Sequence, residues 1–180
     1  MKRLFIAINI PQEIKEKIFT TYHRQIRKEG VKETGKNNLH ITLKFLGPTS
    51  EEHINEIEQK LCKTNFEKFA LTITGTGEFN GRTIWLGVDD KHKNAEKILG
   101  QINRLLFAGK GEKKFEPHIT IARSKKPAKK EIKKITGQLL EIPFKEKFFV
   151  ESIDLMESCL TQGEPAYTKI FQKKASRSDP

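Results

Sequence analysis

Residues 39–45, Leu39-His40-Ile41-Thr42-Leu43-Lys44-Phe45, switch between apolar and polar side chains at every step. A period of two is the pattern of a β-strand with one buried and one wet face, because successive Cβ atoms point to opposite sides. The pattern returns in Pro117-His118-Ile119-Thr120-Ile121-Ala122, again with His and Thr on one side and isoleucines on the other. The chain has five histidines, and composition gives two matches to His-apolar-Thr-apolar a chance of about one in a thousand. A chain with two such strands must build sheet whose apolar face is covered and whose His/Thr face stays open.

The rest of the sequence supplies the cover. Arg3 to Asn9 reads as a buried strand ended by Pro11. Ile14, Ile18, Tyr22 and Ile26 recur every four residues, which predicts a helix from Pro11 to Lys28 with Gly30 as its stop. Lys32 to Asn38 is polar and turn-like, and Gly47-Pro48 closes the strand that starts at Leu39. A second helix is expected after Thr49 or Ser50 as N-cap, with Ile54, Ile57 and Leu61 inside. Phe69–Phe79 and Thr83–Val88 read as strands around the hairpin signal Asn80-Gly81. Helices follow at 89–108, with Ile98, Ile102, Leu105 and Leu106 inside, and at 127–140. Strands at 144–156 and 167–171, joined by a turn at Gly163-Glu164-Pro165, end the chain before a frayed tail at 173–180. This alternation, without a Gly-rich phosphate loop, predicts an α+β fold: two small, mostly antiparallel sheets with helices outside.

Length and composition set limits. With 180 residues the chain supports one domain or two lobes sharing a core, here residues 1–172. The run Leu4 to Ile8 is too short to span a bilayer or serve as a signal core. Two cysteines, Cys62 and Cys159, are too few for a disulfide scaffold. A cytoplasmic location is therefore expected. The formal net charge of +11 draws polyanions toward the surface. Nucleic acid or a phosphorylated small molecule is favoured, although a merely solvated Lys-rich surface would have the same charge.

Two imidazoles and two hydroxyls ringed by cations suit phosphoryl chemistry. Imidazole titrates near neutrality, so one ring can take a proton from an attacking hydroxyl while the other gives one to the leaving oxygen. Threonine hydroxyls can hold the non-bridging oxygens. The competing readings are a pair of structural strand histidines and a metal site. The acidic residues fall in helices and turns, which weakens the latter.

At this point the chain resembles the two-histidine (2H) phosphoesterases, and among them the RNA 2',3'-cyclic phosphodiesterases, also called 2'-5' RNA ligases (LigT-like). The opening RLFIAI, the segment Asn38 to Gly47, Gly77-x-Phe79, Trp85-Leu86-Gly87-Val88, Pro117 to Arg123 and Ser158 to Tyr167 all carry the likeness. It implies a bilobal fold with pseudo-twofold symmetry around a central groove, one His-x-Thr strand per lobe. It implies hydrolysis of RNA 2',3'-cyclic phosphate ends to 2'-phosphomonoesters, with His40 as proton donor and His118 as proton acceptor. Thr42 and Thr120 would hold the phosphate, and the reverse reaction would join 2'-5' linkages without ATP. The resemblance implies no metal or other cofactor and no protein partner, and a monomer is the default expectation. The partner is RNA with 2',3'-cyclic phosphate ends, tRNA fragments among the candidates. A non-catalytic RNA-binding protein and a small cyclic-nucleotide phosphoesterase are the alternatives.

Arg123 follows the second motif and could bind phosphate, but alternation puts it opposite His118 unless the strand ends or bulges at Ala122. Lys44 has groove parity and Phe45 core parity, with base stacking as its lesser reading. Lys125 to Lys130 reads as a solvated helix start more readily than as an RNA track. Tyr22, Trp85 and Tyr167 are expected to pack.

Overall fold

The computed structural model describes residues 1–26, 31–109, 114–126, 128–160 and 165–176. Its strands are β1 (Lys2–Asn9), β2 (Val31–Glu33), β3 (His40–Thr49), β4 (Phe69–Phe79), β5 (Thr83–Asp89), β6 (His118–Ser124), β7 (Lys145–Val150), β8 (Ser152–Leu160) and β9 (Pro165–Lys174). Its helices are α1 (Gln12–Ile26), α2 (Glu51–Cys62), α3 (Asn94–Phe107) and α4 (Lys129–Leu140), with a 3-10 turn at Lys36–Asn38.

The strands run in the order β7-β4-β5-β6-β3-β1-β8-β9, with β2 added on β6. All of these pairs are antiparallel. The expected two sheets are halves of one: β6 and β3 meet through a single residue pair, Ile41 and Ile119. Helix α4 lies on β4 and β5 beside α1, while α2 and α3 pack together on the side of β3 and β9. Between helices and sheet runs one apolar core, including Ile6, Ile14, Ile41, Ile84, Ile98, Ile119 and Ile132. The opposite face is open.

The four residues of the α1 stripe are all buried, and α2 buries Ile54 and Leu61. In α3 the buried residues are Ala95, Ile98, Leu99, Ile102 and Asn103, so Leu105 and Leu106 are only half-buried. That helix starts at Asn94 because β5 runs through Asp89 and the Asp90 carboxylate accepts from the Asn94 and Ala95 amides at 2.9 and 2.7 Å. The β4–β5 hairpin turns through Asn80 and Gly81, both with positive φ, as a two-residue primed turn requires. Gly30, Pro127 and Gly163-Glu164 lie outside the described residues.

Four expectations change. The polar stretch after residue 31 contains β2, whose main chain pairs with β6 without any apolar pattern. β3 continues past Gly47-Pro48, because Gly47 adopts φ +78° where Leu46 bulges out of the pairing with β1. The single strand expected at 144–156 is two strands: β7 pairs with β4 at one edge, and the chain crosses after Val150 so that β8 pairs with β1. Finally, Lys173 and Lys174 are the end of β9, and the Ser176 amide donates to the Phe66 carbonyl at 2.9 Å. Hydrogen bonds thus hold the start of the expected tail.

Candidate active site

The open face is a groove of about 1230 Å³ lined by His40, Thr42, His118, Thr120 and Arg123 among others. Antiparallel pairing through Ile41 and Ile119 sets His40 level with Thr120 and Thr42 level with His118. The isoleucines are buried, so the four polar side chains share the groove face.

Both imidazoles are fixed in the same way. His40 Nδ1 donates to the Asn38 carbonyl and His118 Nδ1 to the Glu116 carbonyl, each at 2.7 Å. Each bond reaches back two residues and leaves Nε2 for the groove. The Thr42 hydroxyl donates to His40 Nε2 at 2.9 Å. Aromatic rings wall each imidazole: Phe5 and Tyr167 lie 4.9 and 5.3 Å from His40, Phe79 and Trp85 lie 5.0 and 6.2 Å from His118. In the second half Gly77 sits opposite Trp85, and a Cβ there would run into the indole. That explains why glycine precedes Phe79 by two residues.

Burial pushes His40 down from its ordinary value near 6.5 to about 4. The bond to the Asn38 carbonyl opposes this, while the charges of Lys15, Arg123 and His118 add to it. Lys15 is itself a buried ammonium, donating at 3.2 Å to the Asn37 carbonyl in the turn before His40. Burial lowers its pKa too. Tyr167 is raised by burial, against the nearby Arg123 charge.

Arg123 does reach the site. The bulge that its role demanded lies at Ile121, one residue before the expected place: Ile84 pairs with Ala122 and Trp85 with Thr120. The slip returns Arg123 to the face of Thr120, whose hydroxyl accepts from Nη2 at 3.4 Å. A bulge corrects Phe45 as well. Leu43 has no partner in β1, so Phe45 pairs with Phe5 and turns to the groove, 69% exposed. Lys44 pairs with Ile6 and still lines the groove, its ammonium 4.8 Å from the Phe107 ring of α3. The lysines at 125, 126, 129 and 130 are exposed, and α4 buries Ile132, Ile135 and Leu139 beneath them.

Sequence reasoning missed Asn38, Phe5 and Phe79, although all three stand inside segments that carried the resemblance. Phe5 looked like core because both faces of β1 are covered. It packs with Ala7, Met156 and Tyr167 in a small second cluster on the groove side. Tyr22 packs in the core as expected, with its hydroxyl pushed up to about 12 by burial. Trp85 and Tyr167 pack too, but against the histidines. Among the described residues no group of three or more His, Cys, Asp or Glu side chains is placed to hold a metal ion. None of the described helices is long and apolar enough to cross a membrane.

Comparison with known proteins agrees with this fold. The chain is 36% identical to the RNA 2',3'-cyclic phosphodiesterase of Methanocaldococcus jannaschii over 93% of its own length and 98% of that protein's. It is 32% identical to that of Thermotoga maritima over 94% of both chains. Escherichia coli LigT, crystallised with 3'-AMP, superposes with a TM-score of 0.81 over 98% of this chain and 99% of that one, at 24% identity. The family model of the 2'-5' RNA ligase superfamily matches residues 12–158, and the chain belongs to that superfamily.

Proposed function

We propose that the chain hydrolyses RNA 2',3'-cyclic phosphate ends to 2'-phosphomonoesters. The observation that carries this is the pair of His-x-Thr strands joined at Ile41 and Ile119, both imidazoles held through Nδ1 with Nε2 toward one groove. The relatives named RNA 2',3'-cyclic phosphodiesterase support the substrate class.

Water attacks phosphorus and gives a proton to His118 Nε2. The bond from phosphorus to the 3' oxygen breaks, and His40 Nε2 hands that oxygen a proton, leaving a 3'-hydroxyl and a 2'-phosphate. Thr42 and Thr120 donate to the non-bridging oxygens, and Arg123 supplies positive charge beside Thr120. The low pKa of His40 leaves it neutral in the empty groove at neutral pH. A donor role therefore requires the bound phosphate anion to recharge it. The reverse ligation, a monomer of one bilobal unit that includes the whole of β9, tRNA fragments as substrates and a cytoplasmic location belong to the same reading.

The test is an RNA oligonucleotide with a 2',3'-cyclic phosphate end, incubated in EDTA, with the product phosphate located. A 2'-phosphate that is lost with His40→Ala and with His118→Ala is expected. Unchanged turnover in either variant would refute the acid–base pair. A substrate with sulfur in place of the 3' oxygen needs no protonated leaving group. It should restore activity to His40→Ala and not to His118→Ala; the opposite pattern would exchange the two roles.

A further inference from the structure

We propose that Asn38 is a positioning residue for His40: its side-chain amide ties the turn before β3 to the start of β9 and so aims the carbonyl that fixes the imidazole. The inference rests on the RNA phosphodiesterase reading and goes beyond it by naming a side chain that acts on the reaction through His40.

The two imidazoles need the same support and receive it differently. The segment that delivers the Glu116 carbonyl to His118 is held by the sheet, because His118 pairs with Gly87 and the Val88 amide donates to the Pro117 carbonyl at 3.2 Å. No ladder does this for His40. It is the first residue of β3 and pairs with the last of β1, Asn9, while β6 meets β3 only through Ile41. The chain before it is a 3-10 turn, in which the Asn38 amide donates to the Gly35 carbonyl at 2.8 Å and the Leu39 amide to the Lys36 carbonyl at 3.2 Å. Those bonds close the turn without fastening it to a neighbour.

Side chains fasten it. The Lys15 ammonium of α1 donates to the Asn37 carbonyl at 3.2 Å, and Asn38 Nδ2 donates to the Pro165 carbonyl at 2.7 Å. The second bond is the shorter, and it comes from the residue whose own carbonyl accepts from His40 Nδ1 at 2.7 Å. Asn38 thus grips β9 with its amide and the imidazole with its carbonyl. A ring held at Nδ1 has one tautomer and one orientation, with Nε2 in the groove. Pro165 also opens the strand that carries Tyr167, whose ring stands edge-on 5.3 Å from His40. The same bond therefore sets the aromatic wall beside the imidazole. A carbonyl only accepts, so an Asp here would have no donor to offer it.

Turnover of the cyclic end, and of its counterpart with sulfur in place of the 3' oxygen, is measured for the native chain, His40→Ala, Asn38→Ala and Asn38→Ser. Loss of one hydrogen bond should lower kcat on the oxygen substrate about 3- to 10-fold in both Asn38 variants, with KM within about two-fold. The sulfur substrate needs no acid, so its kcat should stay within about two-fold of native. The ratio of the two rates does not depend on the folded fraction, and the serine variant replaces the alanine one if that fails to fold. NMR of the ring nitrogens should show His40 losing its preference for the Nδ1–H tautomer while His118 keeps its own. Equal losses on both substrates overturn the proposal, as does native kcat or an unchanged His40 tautomer in the Asn38 variants. A rise in KM alone also overturns it, because it places the amide against the substrate. Failure of sulfur to rescue His40→Ala removes the acid through which Asn38 acts, and the proposal falls with it. If the native chain turns over neither substrate, the phosphodiesterase reading fails, and the His40 tautomer still decides the positioning.

Discussion

Replacing Gly77 with Ala should damage the second half of the site from a distance. Gly77 pairs with Trp85 across β4 and β5, and the indole lies over the glycine Cα. A new Cβ would overlap Cζ2 and Cη2 of that ring, and even the third-nearest atom, Cε2, would be only 2.8 Å away. The ring cannot yield freely, because Phe79 packs 5.1 Å from it and His118 6.2 Å. Overpacking of this kind costs about 1–3 kcal/mol, which for a chain of this size is a fall in Tm of about 2–12 °C. Trp85 is the sole tryptophan, so its emission reports the displacement directly. Gly137, in α4, has ordinary helical φ, and a methyl added there would meet no neighbouring atom within 4 Å. Gly137→Ala should therefore stabilise, by about 0.5–1 kcal/mol. Thermal unfolding, emission spectra and turnover of the cyclic substrate are measured for both variants. The packing argument is refuted if Gly77→Ala keeps the native Tm, emission and kcat.

Three further outcomes follow from the charges around His40. An unfolded imidazole takes its proton as pH falls through about 6.5, whereas folded His40 resists until about 4, so stability is lost across that window, by about 3 kcal/mol. Between pH 6.5 and pH 4, urea melts should show the native chain losing about 3 kcal/mol relative to His40→Gln, with no change in their difference above that window; parallel curves would contradict the burial argument. Lys15→Met removes a cation that holds His40 down, so the imidazole titration followed by NMR should move upward, and no movement would show that the ammonium is screened. Arg123→Ala should weaken inorganic phosphate binding by about 10- to 150-fold, the worth of a charge-assisted hydrogen bond, and raise the His40 titration as well; calorimetry and NMR read the two effects, and unchanged phosphate affinity would remove Arg123 from the anion site.

Local signals were legible where one residue sets one backbone choice. Asn80-Gly81 specifies a turn by its φ angles, and the four-residue spacing from Ile14 to Ile26 specifies one helix face. The His-x-Thr repeat was legible for the same reason, since two residues share a face before any bulge intervenes. Beyond Thr42 and Thr120 parity failed, because Leu43, Leu46 and Ile121 slip out of register with nothing in their side chains to announce it. Those slips decide which way Phe45 and Arg123 point. The crossing after Val150 was equally silent: Phe148, Val150, Ile153 and Leu155 are all buried, with no Gly or Pro to mark the change of half. Partner choice there is a matter of tertiary fit.

The two halves share the Nδ1 bond to a carbonyl two residues back, and the burial of the His40 ring bears on how a symmetric groove performs an asymmetric reaction. With a pKa of about 4, only on the order of one His40 in a thousand carries a proton at pH 7. A phosphate monoanion about 4 Å away contributes roughly 4 kcal/mol at the effective dielectric of a protein surface, enough to restore nearly three pH units. Lys15 and Arg123, which hold the imidazole neutral, are also charges that such an anion would offset. By reciprocity, whatever the phosphate adds to His40 protonation, protonation adds to phosphate affinity. At neutral pH His40 is therefore a neutral ring with its Nε2 bonded to Thr42, and under the proposed acid–base assignment the charge of the substrate would make it the acid that expels the leaving group.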